Sequence, residues 1–367
     1  MLRALLLSAL LVSGCSSVVG VVEPIGQDDL LPAGTAESVG LDFSYLDRVS
    51  RHFSEEVDHK LHSMLVVRNG LLVFEQYYNG FGPHNPHDLR SATKSITSLL
   101  TGIAIEQGAV ASVDAPLMDY LAREYPNVQH KDDILLRHLL TMSSGLDCDD
   151  GDRSTRGQED RMYRSKDWVG YFLSLEQPYA PGDTTRYCTA GVVALGEAIA
   201  QGAEQDFAAF ADDVLFGPLG IQNYRWSRFD EGRKVDTGGH LLLTPQAMAK
   251  VGILVLNEGR WGTEQIVPAD WIERSVQPRT TINGEPYGYL WWRNTLRYGG
   301  PDGMAVDVIS ARGNGGQVIF IVPEHDLVAV FTAGYYNSDD TQIIYNTFYN
   351  AVLTSLPELR DYLPSGS

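Results

Sequence analysis

Residues 64–80, MLVVRNGLLVFEQYYNG, and residues 317–334, QVIFIVPEHDLVAVFTAG, carry the clearest strand patterns in the chain, and most of its length lies between them. Each pairs two runs of apolar, β-branched or aromatic residues around turn residues, and Asn69-Gly70 is the short-range signature of a tight hairpin. A further strand pattern, MAVDVISARG at 304–313, precedes the second block. Strands at both ends with helices between them predict one antiparallel sheet built from both termini and covered by helices, an α+β arrangement.

The intervening pattern is mainly helical with long loops from about 110 to 260, which predicts a mainly helical lobe. DILLRHLLTMSSGL (133–146), AGVVALGEAIAQGA (190–203) and TPQAMAKVGILVLNEG (244–259) read as helices, the last with Pro245 in its first turn. Ahead of them, Ile96, Leu99, Leu100 and Ile103 recur at helical spacing, with Asp88 placed to cap the helix and Gly108 to close it. The polar stretch from Asp147 to Gln158, with Gly151 and Gly157, reads as a surface loop. DDTQIIYNTFYNAVLTSL (339–356) closes the chain as an amphipathic helix. No internal repeat, low-complexity tract or Pro-rich linker divides residues 36–360, which are read as a single domain.

The first fifteen residues, MLRALLLSALLVSGC, hold one basic residue, Arg3, then an apolar run from Ala4 to Val12, then small residues. The run is too short to span a bilayer and no charged stop signal follows, so residues 1–14 read as a secretory signal. VSGC resembles a bacterial lipobox, in which Cys15 receives lipid and becomes the new N-terminus; plain cleavage is the alternative. The expected protein is therefore exported and periplasmic, held at the outer or inner membrane by a lipid anchor alone. Residues 15–35 read as a tether. The two remaining cysteines, Cys148 and Cys188, are either joined in a disulfide, which an oxidising compartment favours, or are two buried thiols. A net charge of −19 argues against nucleic acid and against electrostatic attachment to anionic lipid.

Chemistry enters at LRSATKSITSLL (89–100), where Lys94 follows Ser91 by three residues at the front of a helix. Residues three apart on a helix are neighbours, so the amine reaches the hydroxyl. A serine hydroxyl is a poor nucleophile without a base, and lysine serves as one only when neutral. The apolar face from Ile96 to Ile103 supplies desolvation, and the helix N-terminus favours a developing oxyanion. Chance places about 0.4 such pairs in a chain with these numbers of serines and lysines, so the spacing alone is also consistent with a solvated helix start.

Further segments weigh against chance. PGDTTRYCTAGVVALGEAIA (181–200) puts Tyr187-Cys188-Thr189 after a Pro-Gly turn and before a helix, and ARGNGGQVIFIVPEHDLVAVFT (311–332) carries a Gly-rich turn into a strand. With these, RHLLTMSSGL, TPQAMAKVGILVLNEGRWG and YGYLWW, the chain from about 35 to 356 resembles the serine β-lactamase and penicillin-binding-protein superfamily. The nearest branch is the class C β-lactamase-like hydrolases, including family VIII esterases and 6-aminohexanoate-oligomer hydrolases. The resemblance implies a β-lactamase/DD-peptidase-like fold, Ser91 as nucleophile, Lys94 as its base, and Tyr187 as second base or proton relay to the leaving group. It implies a small-molecule ester or amide substrate and no metal or organic cofactor. Asn314, Gly315, Gly316 and Gln317 fall where the family has an inner-strand Lys-Thr-Gly or its substitute, and are expected to bind substrate and the oxyanion. The second oxyanion N–H is expected from the edge of the Gly316-Gln317 strand.

Two departures narrow the substrate. Thr189 stands where the family has Asn, and no lysine occupies the Lys-Thr-Gly position, although Arg312 is near in sequence. Both weaken a carboxylate-bearing β-lactam as natural substrate. Three functions stay open: an esterase or amidase, a D-Ala-D-Ala peptidase or β-lactamase, and a non-catalytic penicillin-recognising protein. No Gly-x-Ser-x-Gly elbow occurs. HNPH (84–87) reads as a loop, and His138 and His240, which flank apolar runs, read as structural.

Overall fold

Asn69 and Gly70 both take left-handed backbone conformations, φ 54° and 74°, so the expected hairpin closes in two residues between Leu61–Arg68 (β1) and Leu71–Tyr77 (β2). The computed structural model describes residues 28–56, 58–298 and 303–360. Residues 1–27, including the expected signal and Cys15, lie outside them.

The hairpin joins strands from the C-terminal third: Thr280–Ile282 (β3), Glu285–Tyr287 (β4), Trp292–Tyr298 (β5), Met304–Gly313 (β6), Gln317–Val322 (β7) and Leu327–Ala333 (β8). All eight form one antiparallel sheet in the order β3-β4-β5-β6-β7-β8-β1-β2, which places strands from the two ends side by side at the β8–β1 seam. Alternation along each strand then sorts side chains to two faces. Leu65, Val67, Ile309, Ala311, Ile319 and Ile321 face one core, while Met64, Val66, Val308, Val318 and Phe320 face the other.

The first core is closed by Thr93–Glu106 (α2), Thr189–Gly202 (α3), Pro245–Leu256 (α4) and the rest of the helical lobe. The second is closed by Ser44–Glu55 (α1) and the chain's last helical run, where Phe348 stacks on Phe320 at 3.9 Å. That run begins with Gln342–Thr347 (α5) and continues through a wider π-type turn at 348–352 rather than as one regular helix. Thr244 caps α4 by accepting the Ala247 N–H, and Pro245 fills the first position, as its sequence dictates.

Two expectations change. The helix expected over 133–146 is regular only across Leu136–Leu140. Met142 turns left-handed, and its carbonyl and that of Ser143 accept the N–H groups of Arg186 and Gly182 at 2.8 Å, tying this segment to the one that leads into Tyr187. Residues 28–34, expected to belong to the tether, are docked on the domain. Asp28 accepts the Gln222 and Asn223 N–H groups, Leu31 is buried, and the Gly34 N–H bonds to the Leu72 carbonyl. Among the described residues no helix is long and apolar enough to cross a membrane.

Candidate active site

Ser91 sits in a single helical turn, Arg90–Ala92, immediately before α2. The turn is held from three sides. Asp88 Oδ1 accepts the Arg90 N–H at 2.9 Å, the Leu89 N–H bonds to the Leu241 carbonyl at 2.8 Å, and Gly313 lies so close that a Cβ there would meet the Leu89 carbonyl oxygen at 2.0 Å. Asp88 thus caps the turn that precedes α2 rather than α2 itself. Arg90 is left-handed at φ 50°, a conformation uncommon for any residue but glycine and one that clusters at functional sites.

Lys94, one turn on, is 1% exposed. Its amine donates to Ser91 Oγ at 3.1 Å and to the Gly238 carbonyl at 2.6 Å, and lies 4.9 Å from the centre of the Tyr187 ring. The structure therefore brings Ser91 and Lys94, from one helical stretch, together with Tyr187 from a distant segment. Tyr187 itself is wedged between Lys94 and the rings of Trp292 and Tyr287.

The Gly238 carbonyl owes its position to Asp236, whose Oδ1 accepts the N–H groups of Gly238 and Gly239 at 3.1 and 2.9 Å. Asp236 is fully buried, and burial pushes its carboxyl up to about 7 against the opposing influence of His240 and Lys94. Asp150 is pushed up to about 6, again by burial, with Lys94 opposing. Burial alone lowers the affinity of His240 for its proton, but a 2.7 Å bond to Asp88 and that residue's charge reverse the direction, so His240 titrates above its ordinary value. His240 also meets the Arg90 guanidinium at 3.4 Å and lines the cavity that contains Ser91. The structural role expected for His138 holds, since its Nδ1 accepts the Leu135 N–H; His240 belongs to the site instead.

Thr189 does not reach the cavity. It is buried at the start of α3, where its N–H and hydroxyl both donate to Asp150 Oδ2 at 2.8 and 2.7 Å. The position where the family has an amide has become an anchor for a carboxylate, and Asp150 lines the cavity in its stead. Cys148 and Cys188 are joined, with Cα atoms 5.5 Å apart, and the Asp150 N–H donates to the Tyr187 carbonyl at 2.8 Å. Disulfide and hydrogen bond together hold Asp150 and Tyr187 against one another.

Of the four Gly-rich-turn residues, two line the site. Asn314 borders both the 450 Å³ cavity that contains Ser91 and a 280 Å³ cavity beside Tyr187, and Gly315 borders the second. Gly316 instead packs against Ile344 and Ala333. Gln317 is fully buried in an interior strand, its amide bonded in both directions to the Ala333 backbone. The backbone that approaches the Ser91 turn is thus the end of β6 at Gly313, pressed against Leu89, rather than the Gly316-Gln317 strand. Asn314 is itself fixed, its side chain exchanging two hydrogen bonds with Asn337. Arg312 does bring a cation near Tyr187, but the charge is paired with Glu285 at 2.6 Å. Among the described residues no group of three or more His, Cys, Asp or Glu could hold a metal ion.

Comparison with known proteins bears on the family and the fold. The family model described as Beta-lactamase matches residues 47–347. An uncharacterised protein of Alkalihalophilus pseudofirmus is 26% identical over 314 residues, 76% of this chain and 84% of that one. The 6-aminohexanoate-dimer hydrolase of Paenarthrobacter ureafaciens is 22% identical over 303 residues, 76% of this chain and 73% of the relative. In fold, the class C β-lactamase of Rhodobacter sphaeroides superposes with a TM-score of 0.61 at 17% identity, over 87% of this chain and 99% of the other. With the match running through more than half of the 367 residues, the chain belongs to the β-lactamase family.

Proposed function

We propose that the protein is a serine hydrolase that cleaves an ester or amide bond through an acyl-enzyme on Ser91. The observation that carries this reading is the 3.1 Å contact between the buried Lys94 amine and Ser91 Oγ. Lys94 takes the hydroxyl proton as Oγ attacks the carbonyl carbon. The tetrahedral oxyanion is met by the Ser91 N–H and by the Asn314 N–H at the end of β6, which the close approach of Gly313 to Leu89 brings beside the nucleophile. The bond to the leaving oxygen or nitrogen then breaks as Tyr187 hands it a proton. Water attacks the acyl-enzyme and gives a proton to the Tyr187–Lys94 pair, which passes it to Ser91 Oγ as the acyl–oxygen bond breaks and the acid departs.

An ester or amide fits better than a carboxylate-bearing β-lactam. The cation nearest the Tyr187 cavity is neutralised by Glu285, and Asn314 stands where a lysine would bind a carboxylate. The test is a panel of p-nitrophenyl esters and a fluorescent penicillin on wild type, Ser91→Ala and Lys94→Ala. Ester turnover without penicillin labelling is expected, and Lys94→Ala should lower kcat/KM by about 10²–10⁴-fold. Rapid penicillin hydrolysis would make it a β-lactamase, and stable labelling without turnover a binding protein. Export through a lipidated Cys15 belongs to the same proposal; radiolabelled palmitate should enter the wild-type protein and not Cys15→Ala.

A further inference from the structure

A second cavity opens on the opposite face of the sheet from α2, where the last helical run leaves the outer halves of β5 and β6 uncovered. It measures 440 Å³, within the range of small-ligand pockets, and Leu296, Val308, Phe320, Phe348, Tyr345 and Tyr349 make up its apolar lining. Strand alternation explains that composition: Asn294 and Leu296 pair with Val308 and Val306, so their side chains share the face on which Phe320 stacks against Phe348.

This cavity adjoins the one beside Tyr187. Glu285, Arg312 and Tyr345 line both it and the cavity that holds Tyr187, Asn314 and Gly315. Arg312 forms the divide. Its guanidinium lies 5.1 Å from the Trp292 ring centre and 5.5 Å from that of Tyr345, and is fixed by Glu285 and Ser310. A cation held by two rings and a carboxylate has its charge paired within the wall rather than presented to a ligand.

We propose that this cleft is the specificity site for the leaving-group arm of the substrate, and that the arm is an uncharged apolar alkyl or aryl group. The inference rests on the serine hydrolase reading in one respect: Tyr187, which lines the adjoining cavity, is the residue that protonates the leaving group, so the departing alcohol or amine is the part of the substrate on the cleft's side. The acyl part lies in the other cavity, whose walls are polar: Arg90, Asp150, Glu159, Tyr163 and His240. The substrate class is therefore an ester or amide with a small or polar acyl group and an apolar alcohol or amine.

The test compares ethyl acetate, hexyl acetate and ethyl hexanoate, following acid release at constant pH. Hexyl acetate should exceed ethyl acetate in kcat/KM by about tenfold or more, since four further methylenes leave water, and ethyl hexanoate should gain far less. Leu296→Trp and, independently, Asn346→Trp, at a residue that also lines the cleft, fill it without touching Ser91, Lys94 or Tyr187. Each should bring the hexyl-to-ethyl ratio close to one while leaving ethyl acetate turnover within about twofold of wild type. Calorimetric binding of the same esters to Ser91→Ala separates the two claims. Tighter binding of hexyl than ethyl acetate, weakened by Leu296→Trp, supports the cleft even if no ester is turned over. A hexyl-to-ethyl ratio near one in wild type, or one that both tryptophan variants leave intact, overturns the proposal.

Discussion

Asp236 shows how a buried carboxyl group can set the geometry of an amine it does not touch. Its carboxyl fixes the Gly238 and Gly239 N–H groups, and the Gly238 carbonyl fixes the Lys94 amine. Because burial raises its carboxyl to about 7, the folded protein keeps a proton that the unfolded chain releases near pH 4. Proton binding by the native state alone makes stability fall as pH rises across that window. Asp150 adds to the fall only up to about 6. Asp236→Asn keeps an oxygen for both glycine N–H groups and has no proton to lose. Its urea midpoint should decline less steeply than that of wild type between pH 6 and 7; equal slopes would contradict the assignment. None of this was legible in the sequence. Ser91 and Lys94 stand three apart, so one helical turn predicts their contact, and Tyr187 was reached through its surrounding motif. Asp150, Asp236 and His240 matter only because distant segments bury them beside Lys94 or Arg90, and nothing in their immediate neighbours encodes that.

Among the elements, β6 does two jobs: it pairs in the middle of the sheet, and its end presses Gly313 onto the turn that carries Ser91. Gly313→Ala should therefore lower kcat/KM at least about tenfold, because a 1 Å displacement of a nucleophile is costly. Its thermal midpoint should move by only a few degrees, since the ladder hydrogen bonds remain. Unchanged kinetics would mean that the turn gives way freely. The sheet was legible where strands are long and apolar, as in β1, β2, β6, β7 and β8. It was not legible at β3 and β4, three residues each. Asn283-Gly284 carries the same hairpin signature as Asn69-Gly70, with both residues left-handed, but flanks this short, one containing Pro286, offer too few positions for alternation to show. The over-long helix at 133–146 failed for another reason: its apolar spacing is real, but the backbone of Met142 and Ser143 bonds across to the Tyr187 segment instead of continuing the helix.

At the scale of the molecule, the hairpin of residues 61–77 meets the strands of the C-terminal third in the sheet, and the candidate active site forms where the helical lobe abuts it. Ser91 and Lys94 come from the boundary, Tyr187 from the lobe, and Asn314 from the sheet. The Cys148–Cys188 link spans 40 residues of the lobe and joins the Asp150 loop to the Tyr187 segment. Closing a loop of that size contributes about 2–4 kcal/mol, so Cys148→Ala with Cys188→Ala should lower the thermal midpoint by several degrees. It should also slow the catalytic step more than it weakens substrate binding, because Tyr187 loses its brace; equal midpoints for the two proteins would refute the structural role. The account stands or falls on Ser91 as the nucleophile, and the most direct measurement is mass mapping of the native protein after treatment with a fluorophosphonate. A single adduct on the peptide containing Ser91, absent from Ser91→Ala and formed far more slowly in Lys94→Ala, is the predicted result. An adduct on any other residue, or undiminished labelling of Ser91→Ala, would contradict it.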